Sequence, residues 1–144
     1  MFDPDTFLNT SVEGQLDTRN IPIPEGEWPA TISGVASRVV GEESKPVLDI
    51  TWKIEDNEEV KAVTQRDVST VRQTVWLDIS ESGGLDMGKG KNVQLGKLRD
   101  AVNQNGPTPW SAVMLEGAYA IIRVGHRISG EDTYSDVKAV AKAA

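Results

Sequence analysis

The sequence predicts a mainly β domain of five strands, with one helix placed between the third and fourth. Three observations lead there. Apolar and polar residues alternate in several short runs, turn residues separate those runs, and a single stretch shows three- and four-residue apolar spacing. With 38% apolar residues among 144, the chain has enough for one core.

Residues 1–25 hold Phe2, Phe7, Leu8 and the Ile21-Pro22-Ile23-Pro24 stretch with no sustained period, and read as an amino-terminal arm. Residues 26–144 read as a single domain. From Gly26, Trp28, Ala30 and Ile32 alternate with Pro29, Thr31 and Ser33, and the proline marks a strand start or an edge. Leu48, Ile50, Trp52 and Ile54 keep a clean period of two. The acidic run Glu55 to Glu59 then opens a polar connection reaching Ser69. In the third strand Val71, Val75, Leu77 and Ile79 share one face, and Arg72, Thr74, Trp76 and Asp78 the other. After the Gly-rich stretch 82–91, Asn92 is placed to cap a helix carrying Leu95, Leu98 and Val102, which Asn105-Gly106-Pro107 stops. The fourth strand sets Ala118, Ala120, Ile122 and Val124 against Tyr119, Ile121, Arg123 and Arg127. The fifth sets Tyr134, Asp136 and Lys138 against Ser135, Val137 and Ala139. Five strands with a helix after the third are the order of the OB-fold, an OB-like Greek-key barrel whose usual ligands are oligonucleotides and oligosaccharides.

Composition narrows the chemistry. With no cysteine and one histidine, disulfides, a cysteine nucleophile and a clustered His/Cys zinc site are excluded. No long apolar run suggests a membrane span and no basic leader suggests export, so a cytoplasmic protein is expected. No cofactor, metal or nucleophile–base pair is indicated, and no enzyme is expected. His126 falls on the apolar side of its strand, as a core or barrel-end histidine would. The stretch Gly83 to Lys89 satisfies the spacing of a phosphate-binding loop, but Gly90 stands where a hydroxyl should meet magnesium. Its remaining use is a contact from Lys89 and Lys91 to one phosphate of a polynucleotide.

Net charge is −7, which opposes attraction to phosphate. The distribution changes that reading: residues 1–70 carry −8 and residues 71–144 carry +1. In the second part Trp76, Tyr119 and Tyr134 fall on polar parities in step with cations: Arg72 beside Trp76, Arg123 and Arg127 beside Tyr119, Lys138 beside Tyr134. An unpaired base exposes a π-face that an aromatic ring covers, at roughly 1–3 kcal/mol per base, while Arg and Lys neutralise phosphate. The expected ligand is single-stranded nucleic acid. The competing reading is a structural or assembly module whose exposed aromatics meet protein.

Phe2-Asp3-Pro4-Asp5-Thr6-Phe7, Ile23-Pro24-Glu25-Gly26-Glu27-Trp28-Pro29-Ala30, Val75-Trp76-Leu77-Asp78-Ile79, Lys91-Asn92-Val93-Gln94-Leu95-Gly96-Lys97-Leu98-Arg99, Leu115-Glu116-Gly117 and Val124-Gly125-His126-Arg127 follow one another along the chain. In pattern and order this resembles a family of small bacteriophage OB-fold single-stranded DNA-binding proteins. The resemblance implies single-stranded DNA as ligand and a role in phage replication or recombination in the host cytoplasm. It implies a phage recombinase or annealing protein as partner, and leaves oligomeric assembly open.

Overall fold

The computed structural model describes residues 1–143; Ala144, the last residue of the expected domain, lies outside the described residues. The elements run α1 (Pro4–Phe7), β1 (Gly26–Val40), β2 (Lys45–Glu55), α2 (Glu58–Thr64), β3 (Val68–Trp76), α3 (Val93–Ala101), a 3-10 turn (Ala112–Leu115), β4 (Tyr119–Ser129) and β5 (Asp132–Ala141). The protein is mainly β. Its strands form one antiparallel sheet in the order β3-β2-β1-β4-β5, and no ladder between β3 and β5 closes it.

The single expected helix is a correction. Besides α3, α1 precedes the sheet and α2 lies in the connection between β2 and β3. There the Asn57 side chain accepts from the Val60 N–H (3.1 Å) and Glu58 and Glu59 stand in the first turn, so the acidic run starts a helix rather than a loop.

β1 is long because it serves two partners in series. Gly26–Thr31 pair with β4, and Thr31–Val40 with β2. A register shift between Ile32 and Gly34 marks the changeover; such a bulge bends and twists the strand. Ile32 closes this corner, its N–H donating to the Ala118 carbonyl (2.8 Å) and its carbonyl accepting from the Gly117 N–H (2.9 Å). Pro29 sits in the half where only β4 draws on the strand's amides.

The inner face buries Ala30, Ile32, Leu48, Ile50, Trp52, Ile54, Val71, Val75, Ala120, Ile122 and Val124 against Leu95 and Leu98 of α3, Leu115, Val60 and Ile23. Trp52 is fully buried and donates from Nε1 to the Gln73 side chain (2.9 Å), which satisfies its one polar atom. Trp28 is half-buried and donates to the Pro24 carbonyl (2.9 Å). Ile23 joins the core from outside the sheet. Its N–H donates to Ser135 Oγ (2.8 Å), and its carbonyl accepts from His126 Nε2 (2.6 Å).

Two side-chain amides manage the open edge of β3. Gln94 accepts from the Trp76 N–H (3.1 Å) and donates to the Thr74 carbonyl (3.1 Å), as a neighbouring strand would. Asn92 accepts from the Asp78 N–H (2.8 Å) and donates to the carbonyls of Asp78 (2.9 Å) and Asp86 (3.0 Å). Its expected capping bond is absent: Asn92 takes a left-handed conformation, φ 53°, and spends its side chain on this clasp. β3 accordingly ends at Trp76, and Ile79 makes only an isolated bridge with Leu85. In β5 the register shifts so that Ala139 faces Arg123 and Val137 faces Val124, leaving Lys138 as the extra residue. The simple alternation expected through Ala139 breaks there.

Asn92→Ala removes three side-chain bonds worth roughly 0.5–1.5 kcal/mol each and should destabilise the protein by about 2–3 kcal/mol. Denaturant unfolding checks this; an unchanged midpoint would mean that the clasp does not hold the loop to β3.

Candidate functional site

Because β3 and β5 face one another without a ladder, a groove of about 510 Å³ runs between them. One wall is Thr70 to Thr74 of β3, the other Thr133 to Asp136 of β5, and Asn20 to Ile23 border it. Four arginines line it: Arg38 from β1, Arg66 from the α2–β3 connection, Arg72 from β3 and Arg127 from β4.

Each is placed by local chemistry. Arg72 points outward because Val71 and the other apolar residues of its strand take the core side. Arg127 lies over the Tyr134 ring, 4.9 Å from its centre, and donates from Nε to Asp136 (3.2 Å). The cross-strand pairing of Arg127 with Tyr134 dictates that contact. Arg66 donates to the Ile21 carbonyl (3.1 Å) and has no carboxylate partner among the described residues. Arg38 and Asp49 form a forked ion pair, the second bond being Nη2 to Oδ1 (3.3 Å), and Thr74 Oγ1 also donates to Asp49 (3.2 Å). The Arg38 guanidinium, aided by Thr74 and Arg72, holds the Asp49 carboxyl below its ordinary range, while burial opposes. Among the described residues, two of the four arginines, Arg38 and Arg127, are ion-paired to a carboxylate within 4 Å, and Arg66 and Arg72 are not. The groove keeps a positive balance on a protein of net charge −7.

Arg72, Arg127 and Tyr134 come together here. Lys138 lies on the β5 side, its stem packed over Gly125 and its ammonium 3.6 Å from Asp136. A Cβ at position 125 would stand 2.8 Å from that stem, so the glycine makes room for the lysine. Trp76 is 52% exposed on the same face of β3 as Arg72, and Val47, its cross-strand partner, also pairs with Arg38.

The other expected residues lie elsewhere, so strands three to five do not present a single shared face. Tyr119 pairs with Thr31 beyond the β1 corner and lines a separate cleft with Lys53 and Glu55. Its row on the sheet is that of Thr70, six residues along β3 from Trp76, or about 20 Å at strand rise. Arg123 faces Glu27 across the β1–β4 ladder. Lys91 borders a third cleft along α3 with Lys97 and Arg99, and Lys89 is exposed on the loop. In the loop the N–H groups of Gly83, Asp86, Gly88 and Lys91 donate to acceptors within the segment 78–88.

Arg38 and Arg66 are the residues that sequence parity missed. Arg38 lies eleven residues from Asp49 across the β1–β2 turn, and Arg66 sits in a connection with no strand period; neither carries a local signal. Among the described residues, no three His, Cys, Asp or Glu gather as metal ligands, and no helix is long and apolar enough to cross a membrane. The chain matches no protein-family model and no curated protein.

A carboxylate stabilised in its charged form contributes above its ordinary value, near 3.9, and that contribution fades as pH falls through the lower folded value. Asp49→Asn should therefore lower the melting temperature at pH 7, and the gap to the parent should narrow by pH 3. Thermal melts across that range decide it, and a gap independent of pH would remove Asp49 from this role.

Proposed function

We propose that this protein binds single-stranded DNA with little sequence preference, by stacking bases on exposed rings and pairing phosphates with arginine. The observation that carries the reading is the groove itself, where four arginines and Tyr134 line one cleft and Trp76 stands exposed farther along the same strand as Arg72. Such a cleft offers a polyanion its counter-charges and an unpaired base its π-contact, and a duplex would bring no free base faces to it. Arg72, Arg127, Arg38 and Arg66 serve as phosphate contacts, the Arg127–Tyr134 stack and Trp76 as base platforms, with Lys138 beside them. Tyr119, Arg123, Lys89 and Lys91 would take part only along a strand that leaves the groove and wraps the domain.

The sheet order supports an OB-like reading of the fold: β3-β2-β1-β4-β5 becomes a five-stranded Greek-key barrel if β3 and β5 are taken as the facing, unladdered pair. On that reading the protein performs no covalent chemistry. It acts in phage replication or recombination in the host cytoplasm, and a recombinase or annealing protein is its partner.

Titration of tryptophan fluorescence with oligo-dT and with matched duplex tests the proposal. Oligo-dT should bind and duplex should not, with the logarithm of affinity falling by about 0.7 per neutralised phosphate for each tenfold rise in salt. Arg72→Ala should flatten that slope by about one phosphate, and Trp76→Ala should weaken binding by about 1–3 kcal/mol with the fold intact. No binding at low salt would instead favour the assembly module.

A further inference from the structure

The first 18 residues carry Asp3, Asp5, Glu13 and Asp17 and no Lys or Arg, the most one-sided charge of any stretch that length outside the folded sheet. All of them are exposed, as are Phe2, Phe7, Leu8, Val12 and Leu16. Before Asn20 the arm's one side-chain link to the sheet among the described residues is Arg19 to Glu131, a fully solvated pair at 3.4 Å that holds little. Where the arm is anchored is therefore decisive. Asn20, Ile21, Pro22 and Ile23 are part of the arginine groove's own wall, with Ile21 bonded to Arg66 and Ile23 fixed in the core.

We propose that residues 1–18 are a second ligand of this groove, folding back over Arg38, Arg66, Arg72 and Arg127 of their own chain. Competition with DNA rests on the function proposed above; the contact itself does not. The arm offers chemistry that complements the groove's lining, carboxylates for its arginines and the Phe2 and Phe7 rings, 5.3 Å apart, for Tyr134. Eighteen residues span up to roughly 60 Å when extended, and a ligand tethered at the rim is present at about millimolar effective concentration. A weak contact is then populated, and the groove is free for only a fraction of the time. The apparent affinity for an outside strand falls by that fraction.

The full-length quadruple variant D3N/D5N/E13Q/D17N should bind oligo-dT about three- to tenfold more tightly than the parent at low salt, converging with it as salt rises. Equal or weaker binding overturns the competition. The contact has its own readout, because the chain has no cysteine and Thr10→Cys gives a single labelling site. A nitroxide there should broaden the backbone amide signals of Arg72 and Tyr134 at low salt and release them at high salt. No broadening overturns the contact, and so does broadening seen only in mixtures of labelled and isotope-enriched chains, since that places the arm on a second copy. If neither parent nor variant binds oligo-dT, the nucleic-acid reading fails, and the label alone then decides whether the arm occupies the groove.

Discussion

The whole architecture depends on one strand being shared between two partners in succession. β1 pairs with β4 along its first six residues and with β2 along the rest, and the bulge between Ile32 and Gly34 makes the transfer. A flat strand paired on both sides throughout would make an open, flat sheet with its two edge strands far apart. A strand that bends where it changes partner coils the sheet instead, and brings β3 and β5 face to face. They meet without a ladder, so the coil leaves a seam.

The seam is where the molecule spends its side-chain chemistry. At the α3 end Gln94 and Asn92 pair with the backbone of β3 and its continuation, and Leu98 seals the core behind them. At the other end Ile23, held by Ser135 and His126, fills the core from the arm. Between these plugs the edges stay apart, and four arginines line the space together with the apolar Ile21 to Ile23 stretch and Val71. A fold that leaves one pair of strand edges without a ladder gains a groove between them. Cations placed around it make that groove a receptor for an extended anion. The acidic majority of the protein lies elsewhere, so the overall negative charge and a positive groove coexist.

Much of this was written in local pattern. The period of two in Leu48 to Ile54 and in Val71 to Val75 places those side chains in the core, and the three- and four-residue spacing of Leu95 and Leu98 places α3 against it. Trp76 and Tyr134 on polar parities are indeed exposed. Where the pattern misled, a side-chain bond to the backbone or a bulge had intervened. Asn92 reads as a helix cap, yet Asp78 and Asp86 claim its side chain. Glu58 and Glu59 read as loop until Asn57 caps them into α2. Lys138 reads as one more alternating residue, but the bulge opposite Arg123 and Val124 removes it from the ladder.

By itself the sequence determined the strand content, most of the buried and exposed parities, and the charge division between the two parts of the chain, because these follow from the nearest few residues; Val47 and Asp49, on the polar side of the β2 period, are buried as well. Only the tertiary structure decided which outward residues share a surface. Tyr119 and Arg123 have the same outward parity as Arg127, but the sheet turns them onto other neighbours. Arg38 and Arg66 carry no periodic signal and are gathered to Arg72 by the coil of β1 and the turn after α2. Parity is a property of one strand, whereas a surface is set by how strands twist past one another. That twist depends on a bulge and a change of partner that no short window of sequence contains.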